Sequence, residues 1–223
     1  RERLLAAACE AFCEEGYQVS IDHIAARAQV ARQTLYNYFH SKDELFGEAV
    51  RHSIQSVLVT LDGDGDVRAT LLVFSDAYRA RLLSPEGLAI FRTMVAEAPR
   101  FPELAKQFFR QGPHITRKRL ARFLAHAMEA GQLRQADPDF AAEMLTAMLL
   151  DLDRLRGLID LQTDLLKPSK TTQVVDCFLR ALCCLCLPPA APMANPPPAR
   201  TARRAACRRR KWSSCRWAAR PPR

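Results

Sequence analysis

Nowhere in these 223 residues do apolar and polar side chains alternate with a period of two for long enough to build a β-strand. Apolar residues recur instead at three- and four-residue spacings. The runs are broken at Gly16, at Asp62–Asp66, and then at Ser84-Pro85, Pro99, Gly112-Pro113, Gly131, Asp137-Pro138 and Pro168. That punctuation restricts the fold to an all-α architecture. It predicts helices over about 2–15, 21–28, 32–39 and 42–61, and then over about 67–83, 86–98, 102–110, 114–130, 138–160 and 170–187.

The segment Ile21–Phe46 is organised more finely than the rest. The first helix offers a stripe of Leu4, Leu5, Ala8, Ala11 and Phe12, and Gly16 ends it. Ser20 is a good N-cap for the second helix, where Ile24, Ala25 and Ala28 face inward. Gln29-Val30-Ala31 makes a turn, with Val30 as its apolar plug. On the third helix Leu35 and Phe39, four apart, point to the core. Gln33, Asn37 and His40 lie on the other side, with Thr34 and Tyr36 beside them. Ser41 with Glu44 three residues on is a capping box for the fourth helix. This is the layout of a helix-turn-helix that puts its polar helix into the major groove of DNA. The fourth helix is longer than a small three-helix bundle needs. Its far half is expected to pack on a second domain and to link the two.

The predicted organisation is a helix-turn-helix DNA-binding domain over 1–46 with a linking helix over 42–61. A larger helical effector-binding and dimerisation domain over 47–187 follows, and then a disordered basic tail over 188–223. Ala, Pro and Arg make up 26 of those last 36 residues, a composition unable to bury a core. The tail reads either as a basic arm that binds DNA without sequence preference or, in the preferred reading, as a non-native frame-shifted translation of GC-rich DNA.

The tail also carries the chain's charge. The formal net charge is +9, but nine Arg and one Lys without any acid lie in 188–223, leaving 23 basic against 24 acidic residues elsewhere. Only Ser20–Lys42 is locally positive, through Arg27, Arg32 and Lys42 against Asp22. Bulk charge is therefore no argument for DNA binding here, and the case rests on local geometry. Eight cysteines include Cys9 and Cys13 on one helix face and the cluster Cys183, Cys184 and Cys186, with no second pair at zinc-finger spacing. Reduced thiols in a cytoplasm are the expectation. The alternating acids Asp62, Asp64 and Asp66 lack the Gly and Glu of a calcium loop, since Val67 and Val73 stand at those positions. No apolar run approaches 18 residues, so no membrane helix is expected. Arg1-Glu2-Arg3-Leu4-Leu5 runs straight into a helix and is not read as a signal peptide. The chain has no initiator Met, so its first residue is not taken as the native start.

The N-terminal segment closely resembles the tetracycline-repressor (TetR) family of bacterial transcription regulators. The resemblance rests on Glu15-Gly16-Tyr17, Ile24-Ala25, Ala28, Val30 and, most specifically, the run Thr34–Phe46 (TLYNYFHSKDELF). It departs at Gln29, where the family usually has Gly, and in a Tyr17–Ser20 connection about one residue shorter than usual. Ser84-Pro85-Glu86, Val95–Leu104 and Gly131-Gln132-Leu133-Arg134 resemble the subgroup with an AefR-like effector domain.

The resemblance implies a homodimer with a four-helix bundle built from the last two helices of each subunit. Met144, Leu145, Met148, Leu152 and Leu155 on one helix, and Val174, Phe178 and Leu182 on the other, form the matching stripes, the rival reading being that they fill a monomer core. It implies a repressor that leaves a palindromic operator when a small apolar ligand binds. Gln33, Thr34 and Asn37 suit base edges, and Arg32 suits a base or a phosphate. Tyr36, Tyr38, His40 and Lys42 hold phosphates in the family pattern, and Ser20 combines capping with a phosphate. Candidate ligand-binding residues are Phe74, Tyr78, Phe91, Met94, Phe108, His114, Arg117, Met144 and Met148. No catalytic constellation, phosphate loop, metal-ligand spacing or cofactor motif stands out. A nonspecific architectural DNA binder that relies on the tail is the alternative.

Overall fold

Ser20, Ser41, Asp66, Ser84 and Asp137 each start a helix, and each does so by the same device. The side-chain oxygen accepts a backbone N–H from the first turn: His23 N at 3.1 Å, Glu44 N at 3.0 Å, Ala69 N at 3.1 Å, Gly87 N at 3.1 Å and Asp139 N at 2.9 Å. The computed structural model describes residues 1–63, 66–161 and 168–182, and every regular element among them is helical. In order these are α1 (Glu2–Glu15), α2 (Ile21–Arg27), α3 (Arg32–Tyr38), α4 (Lys42–Val59) and α5 (Val67–Leu82). Then come α6 (Pro85–Glu97), α7 (Pro102–Phe109), α8 (Ile115–Glu129), α9 (Pro138–Leu158) and α10 (Pro168–Ala181). No helix among the described residues is long and apolar enough to cross a membrane. The tail over 188–223, the Cys183–Cys186 cluster and positions 183–187 of the last expected helix lie outside the described residues.

One expected break is absent. Gly112-Pro113 does not end a helix, because Arg110–His114 forms a π turn that carries α7 directly into α8. Pro113 has no N–H for the usual i→i+4 bond, and a wider i→i+5 turn accommodates that gap. Gly112 is needed there for another reason. A Cβ on it would stand 3.0 Å from Val50 Cγ1 of α4, so the π turn and α4 touch backbone to side chain.

Two apolar cores share one helix. The first collects Leu4, Ala8, Phe12, Ile24, Leu35 and Phe39 from α1–α3 and its flanks, with Leu45, Phe46, Ala49 and Val50 from the start of α4. Ile90 of α6 and Leu104 of α7 also enter it. The second gathers Leu71 and Phe74 of α5, Leu120 and Leu124 of α8, Leu145 and Leu149 of α9, and Val175 and Phe178 of α10. Val57 at the far end of α4 belongs to this second core. Helix α4 is thus buried at one end in the N-terminal bundle and at the other in the C-terminal helices.

The second core holds a buried ion cluster that the sequence did not announce. Arg79 of α5 is only 2% exposed and donates to Asp153 of α9 at 2.9 Å and to the Leu149 carbonyl. Lys170 of α10 and Arg156 also reach Asp153, at 2.6 and 3.1 Å. Burial pushes the Asp153 carboxyl up, but the bonds from Lys170 and Arg79 outweigh it and hold the group below its ordinary value. In the N-terminal bundle Cys9 and Cys13 are half-buried among apolar neighbours. Burial raises the Cys9 thiol to about 12, and it donates to the Ala49 carbonyl at 3.1 Å. Such a thiol is structural rather than reactive.

Candidate nucleic-acid interface and effector cavity

The turn between α2 and α3 closes in a specific way. Gln29 adopts φ 54°, the left-handed region that favours glycine. Around it Gln29 N–H donates to the Ala26 carbonyl and Val30 N–H to the Ala25 carbonyl, both at 3.0 Å. This paired arrangement is a Schellman motif, with Gln at the position where Gly is usual. Val30 packs half-buried against the N-terminal core, as its role as a plug requires. Helix α3 starts two residues later. Leu35 and Phe39 are each 1% exposed, and they fix its rotation about its own axis.

That rotation leaves one polar face outward. Arg32, Gln33, Tyr36, Asn37 and Tyr38 are exposed, as is His40 just beyond the helix, while Thr34 is half-buried at the edge. The face is ordered by its own bonds. Gln33 Nε2 donates to Asn37 Oδ1 at 3.2 Å. Arg32 is bonded to Asp22 at 2.8 Å, and its guanidinium lies 5.5 Å from the Tyr36 ring centroid. Ser20, exposed at the start of α2, carries the capping bond already described. At the start of α4, Glu44 Oε2 accepts the His40 N–H at 2.8 Å, so the capping box reaches one residue further back than the sequence suggested.

Lys42 departs from the rest of the predicted DNA-contact set. Its ammonium donates to the Tyr17 carbonyl and sits 4.5 Å over the Tyr17 ring. It is half-buried rather than on the α3 face, and burial lowers its pKa. Tyr17 organises this corner. Its hydroxyl donates to Asp43 at the start of α4, and its ring meets Phe46 and Phe101 at 5.9 and 5.2 Å. Sequence reasoning noted Glu15-Gly16-Tyr17 only as a motif and missed this role.

A partly open cavity of about 110 Å³ lies beside α4. Its apolar walls are Val50 and Ile54 of α4, Leu82 of α5, Ile90 and Phe91 of α6, and Phe108 of α7. Its polar lining is Ser53, Tyr78, Arg81, Thr116 and Arg154. Burial raises the Tyr78 hydroxyl to about 12, against the opposing charge and bond of Arg154. Of the predicted ligand-binding residues, the structure brings Tyr78, Phe91 and Phe108 together here. The others lie elsewhere. Phe74 is fully buried in the second core, and Met144 packs against that core. Met94 and Met148 are half-buried away from the cavity lining. His114 opens onto a separate shallow surface beside Phe109, and Arg117 pairs with Asp139 at 3.0 Å. Arg81 and Arg154 were missed because a charged residue on an amphipathic helix reads as solvated surface, and they lie 73 positions apart in the chain.

The predicted dimer stripes divide in two. Leu145, Phe178 and Leu182 are buried inside the protomer's own core, which leaves little of them exposed on its surface. The physical reason is that α5 and α9 cover the apolar face of α10. Val174 is half-buried and packs against the same core. On α9, by contrast, Leu152 and Leu155 are exposed, Met144 and Met148 are half-exposed, and Phe140 and Ile159 are 65% and 58% exposed. These six residues follow one another at three- and four-residue steps and form one continuous apolar stripe.

Comparison with known proteins agrees with this geometry. Residues 4–49 match the model of the bacterial regulatory proteins of the tetR family, and residues 69–184 match that of the AefR-like transcriptional repressor C-terminal domain. The HTH-type transcriptional regulator YezE of Bacillus subtilis (strain 168), itself uncharacterised, is 27% identical, with 71% of this chain and 92% of that protein covered. Among solved structures, a protein of Mesorhizobium loti MAFF303099 assigned to the TetR family is 26% identical with a TM-score of 0.66, covering 80% of this chain and 94% of that one. The flavonoid-responsive regulator FrrA is 30% identical with a TM-score of 0.61, at the same coverages.

Proposed function

Since the chain belongs to the tetracycline-repressor family of transcription regulators, with an AefR-like C-terminal domain, we propose that it is a ligand-responsive repressor that binds a palindromic operator as a homodimer. The observation that carries this reading is the clamped rotation of α3. Leu35 and Phe39 are locked in the core, so Gln33, Asn37 and Tyr36 stand in solvent as one preordered face. Amide side chains suit base edges, and Gln33 and Asn37 supply two of them, with Thr34 at the margin. The exposure of Tyr36, Tyr38, His40 and Ser20 supports contacts to the flanking phosphates, and that of Arg32 a contact to a base or a phosphate. Lys42 contributes there only after releasing the Tyr17 carbonyl.

A half-site is read by one α3, so two copies are needed for a palindrome. The apolar stripe on α9 supports their association, joined by the outer side of α10. A small, largely apolar effector enters the cavity beside α4. FrrA is described as flavonoid-responsive, which supports an aromatic effector here, and Phe91 and Phe108 supply the matching walls. Val50, Ser53 and Ile54 of α4 line the cavity, and the same helix is rooted in the core of the DNA-reading bundle. Effector binding therefore shifts α4 and with it the spacing of the paired α3 helices. The protein acts in the cytoplasm, on double-stranded DNA.

The test begins with selection of bound sequences from a random DNA pool. The selected operator is then titrated with the wild-type chain, with Asn37→Ala and with a variant lacking 188–223. Asn37→Ala is expected to lose about 1–3 kcal/mol of operator affinity while keeping its nonspecific binding. If the tail deletion abolishes binding and Asn37→Ala leaves it unchanged, the protein is a nonspecific binder and the repressor reading is wrong.

A further inference from the structure

The polar lining of the cavity beside α4 is one-sided. Two guanidinium groups, those of Arg81 and Arg154, line it together, and no carboxylate does. Among the described residues neither has an acidic group within ion-pair distance, whereas the exposed surface carries many Arg–Asp and Arg–Glu pairs. Glu86, exposed on α6, acts on Arg81 only through space.

The two aliphatic hydroxyls in the wall are already committed as donors. Ser53 Oγ donates to the Val50 carbonyl at 2.8 Å, and Thr116 Oγ1 to the Gly112 carbonyl at 3.1 Å. Arg81 uses Nε on the Ser53 carbonyl at 2.9 Å, which leaves its two terminal nitrogens. Arg154 lies 4.6 Å from the Phe91 ring centroid and sits beside the Tyr78 hydroxyl on the cavity wall. The π face and the phenol orient that guanidinium without neutralising it. Burial depresses the Arg154 pKa, and Tyr78 offsets only part of that. Both guanidiniums are half-buried, where a cation without a counterion is less well solvated than at the surface, and a rigid fork of N–H donors matches a carboxylate.

We propose that this cavity is a site for a small organic anion. A carboxylate lies against Arg154 and Arg81, and an apolar body lies against the wall formed by Phe91 and Phe108. The volume of about 110 Å³ is below the ~300 Å³ at which drug-sized pockets begin. The body is therefore a single ring or a short chain. The assignment rests on the reading of the cavity as the effector site and adds the charge of the effector to it.

The test uses the full chain and three carboxylates, benzoate, phenylacetate and hexanoate, each beside its neutral amide. Binding is measured by calorimetry and by the rise in unfolding temperature. At least one carboxylate is expected to bind about tenfold or more tightly than its amide. Arg154→Gln removes that preference, and Arg154→Lys retains part of it, with circular dichroism reporting the fold of each. Should Arg154→Gln not fold, Arg81→Gln carries the same comparison. Equal binding of acid and amide, or no binding of any carboxylate at millimolar concentration, overturns the anion site. The operator complex separates the two readings. A carboxylate that binds through Arg154 but leaves DNA binding unchanged upholds the anion site and refutes its role as effector pocket. A neutral compound that releases DNA from the wild-type chain, while no carboxylate binds more tightly than its amide, does the reverse.

Discussion

Gln29→Gly is expected to make the protein more stable, although it removes a side chain and touches nothing else. Gln29 holds φ 54° at the end of α2. A residue with a Cβ pays about 1–2 kcal/mol for that conformation. Glycine removes the penalty but gains freedom in the unfolded chain worth about 0.4–1 kcal/mol. No packing is lost, because Gln29 is exposed, and both bonds of the Schellman motif are made by backbone groups. The net is a gain of about 0.5–1 kcal/mol. Equilibrium urea unfolding at matched protein concentration measures it. With a slope of about 2 kcal/mol/M the midpoint rises by about 0.3–0.5 M, at unchanged slope. Gln29→Ala is the control, since alanine keeps the Cβ and should leave the midpoint within a few tenths of a kcal/mol of wild type. If alanine stabilises as much as glycine, the effect belongs to the side chain and not to φ. If glycine destabilises, the reasoning about this turn fails.

Two further outcomes follow from the second core and the α9 surface. Asp153→Asn strands Arg79 and Lys170 beside a neutral group, and a loss of about 3–5 kcal/mol is expected in the same urea assay. Because the folded Asp153 pKa is depressed, its contribution is fully present above the unfolded value of about 3.9. It is lost as pH falls through the lower folded value, so wild type should lose stability below about pH 4 with a steeper slope than Asp153→Asn. A chain carrying Leu152→Glu and Ile159→Glu should sediment as a monomer with unchanged helicity, both side chains being at least half exposed in the protomer. A dimer that persists in this variant places the subunit interface elsewhere.

The helices were legible because their ends are written locally. Ser20, Ser41, Ser84 and Asp137 each stand where a cap is needed, and the periodicity between them leaves little choice. The outward face of α3 was legible for the same reason, since Leu35 and Phe39 determine what Gln33 and Asn37 can do. The Gly112-Pro113 pair misled because both residues are local breakers, whereas the π turn absorbs Pro113 and Gly112 lets α4 come close at Val50. The stripes on α9 and α10 looked alike in sequence. A stripe records that something covers it, not whether the cover is this chain or another. For Phe178 and Leu182 it is this chain, and for Leu152 and Leu155 nothing among the described residues does the covering. Lys42 and the pair Arg81 and Arg154 are the mirror case. A cation reads as solvent-facing until the fold folds it back onto Tyr17 or into a cavity.

The π turn at Arg110–His114 has a geometric consequence for the whole C-terminal half. A helix advances about 100° per residue, so one extra residue in a turn re-phases everything after it by that angle. Leu104 on α7 faces the DNA-reading bundle, while Leu120 and Leu124 on α8 face the second core. The turn is the gear that sets those two directions on a single rod. Deleting one residue from 110–114 would rotate the α8 stripe by about 100° away from the second core. A single residue thus keeps the two halves of the molecule in step.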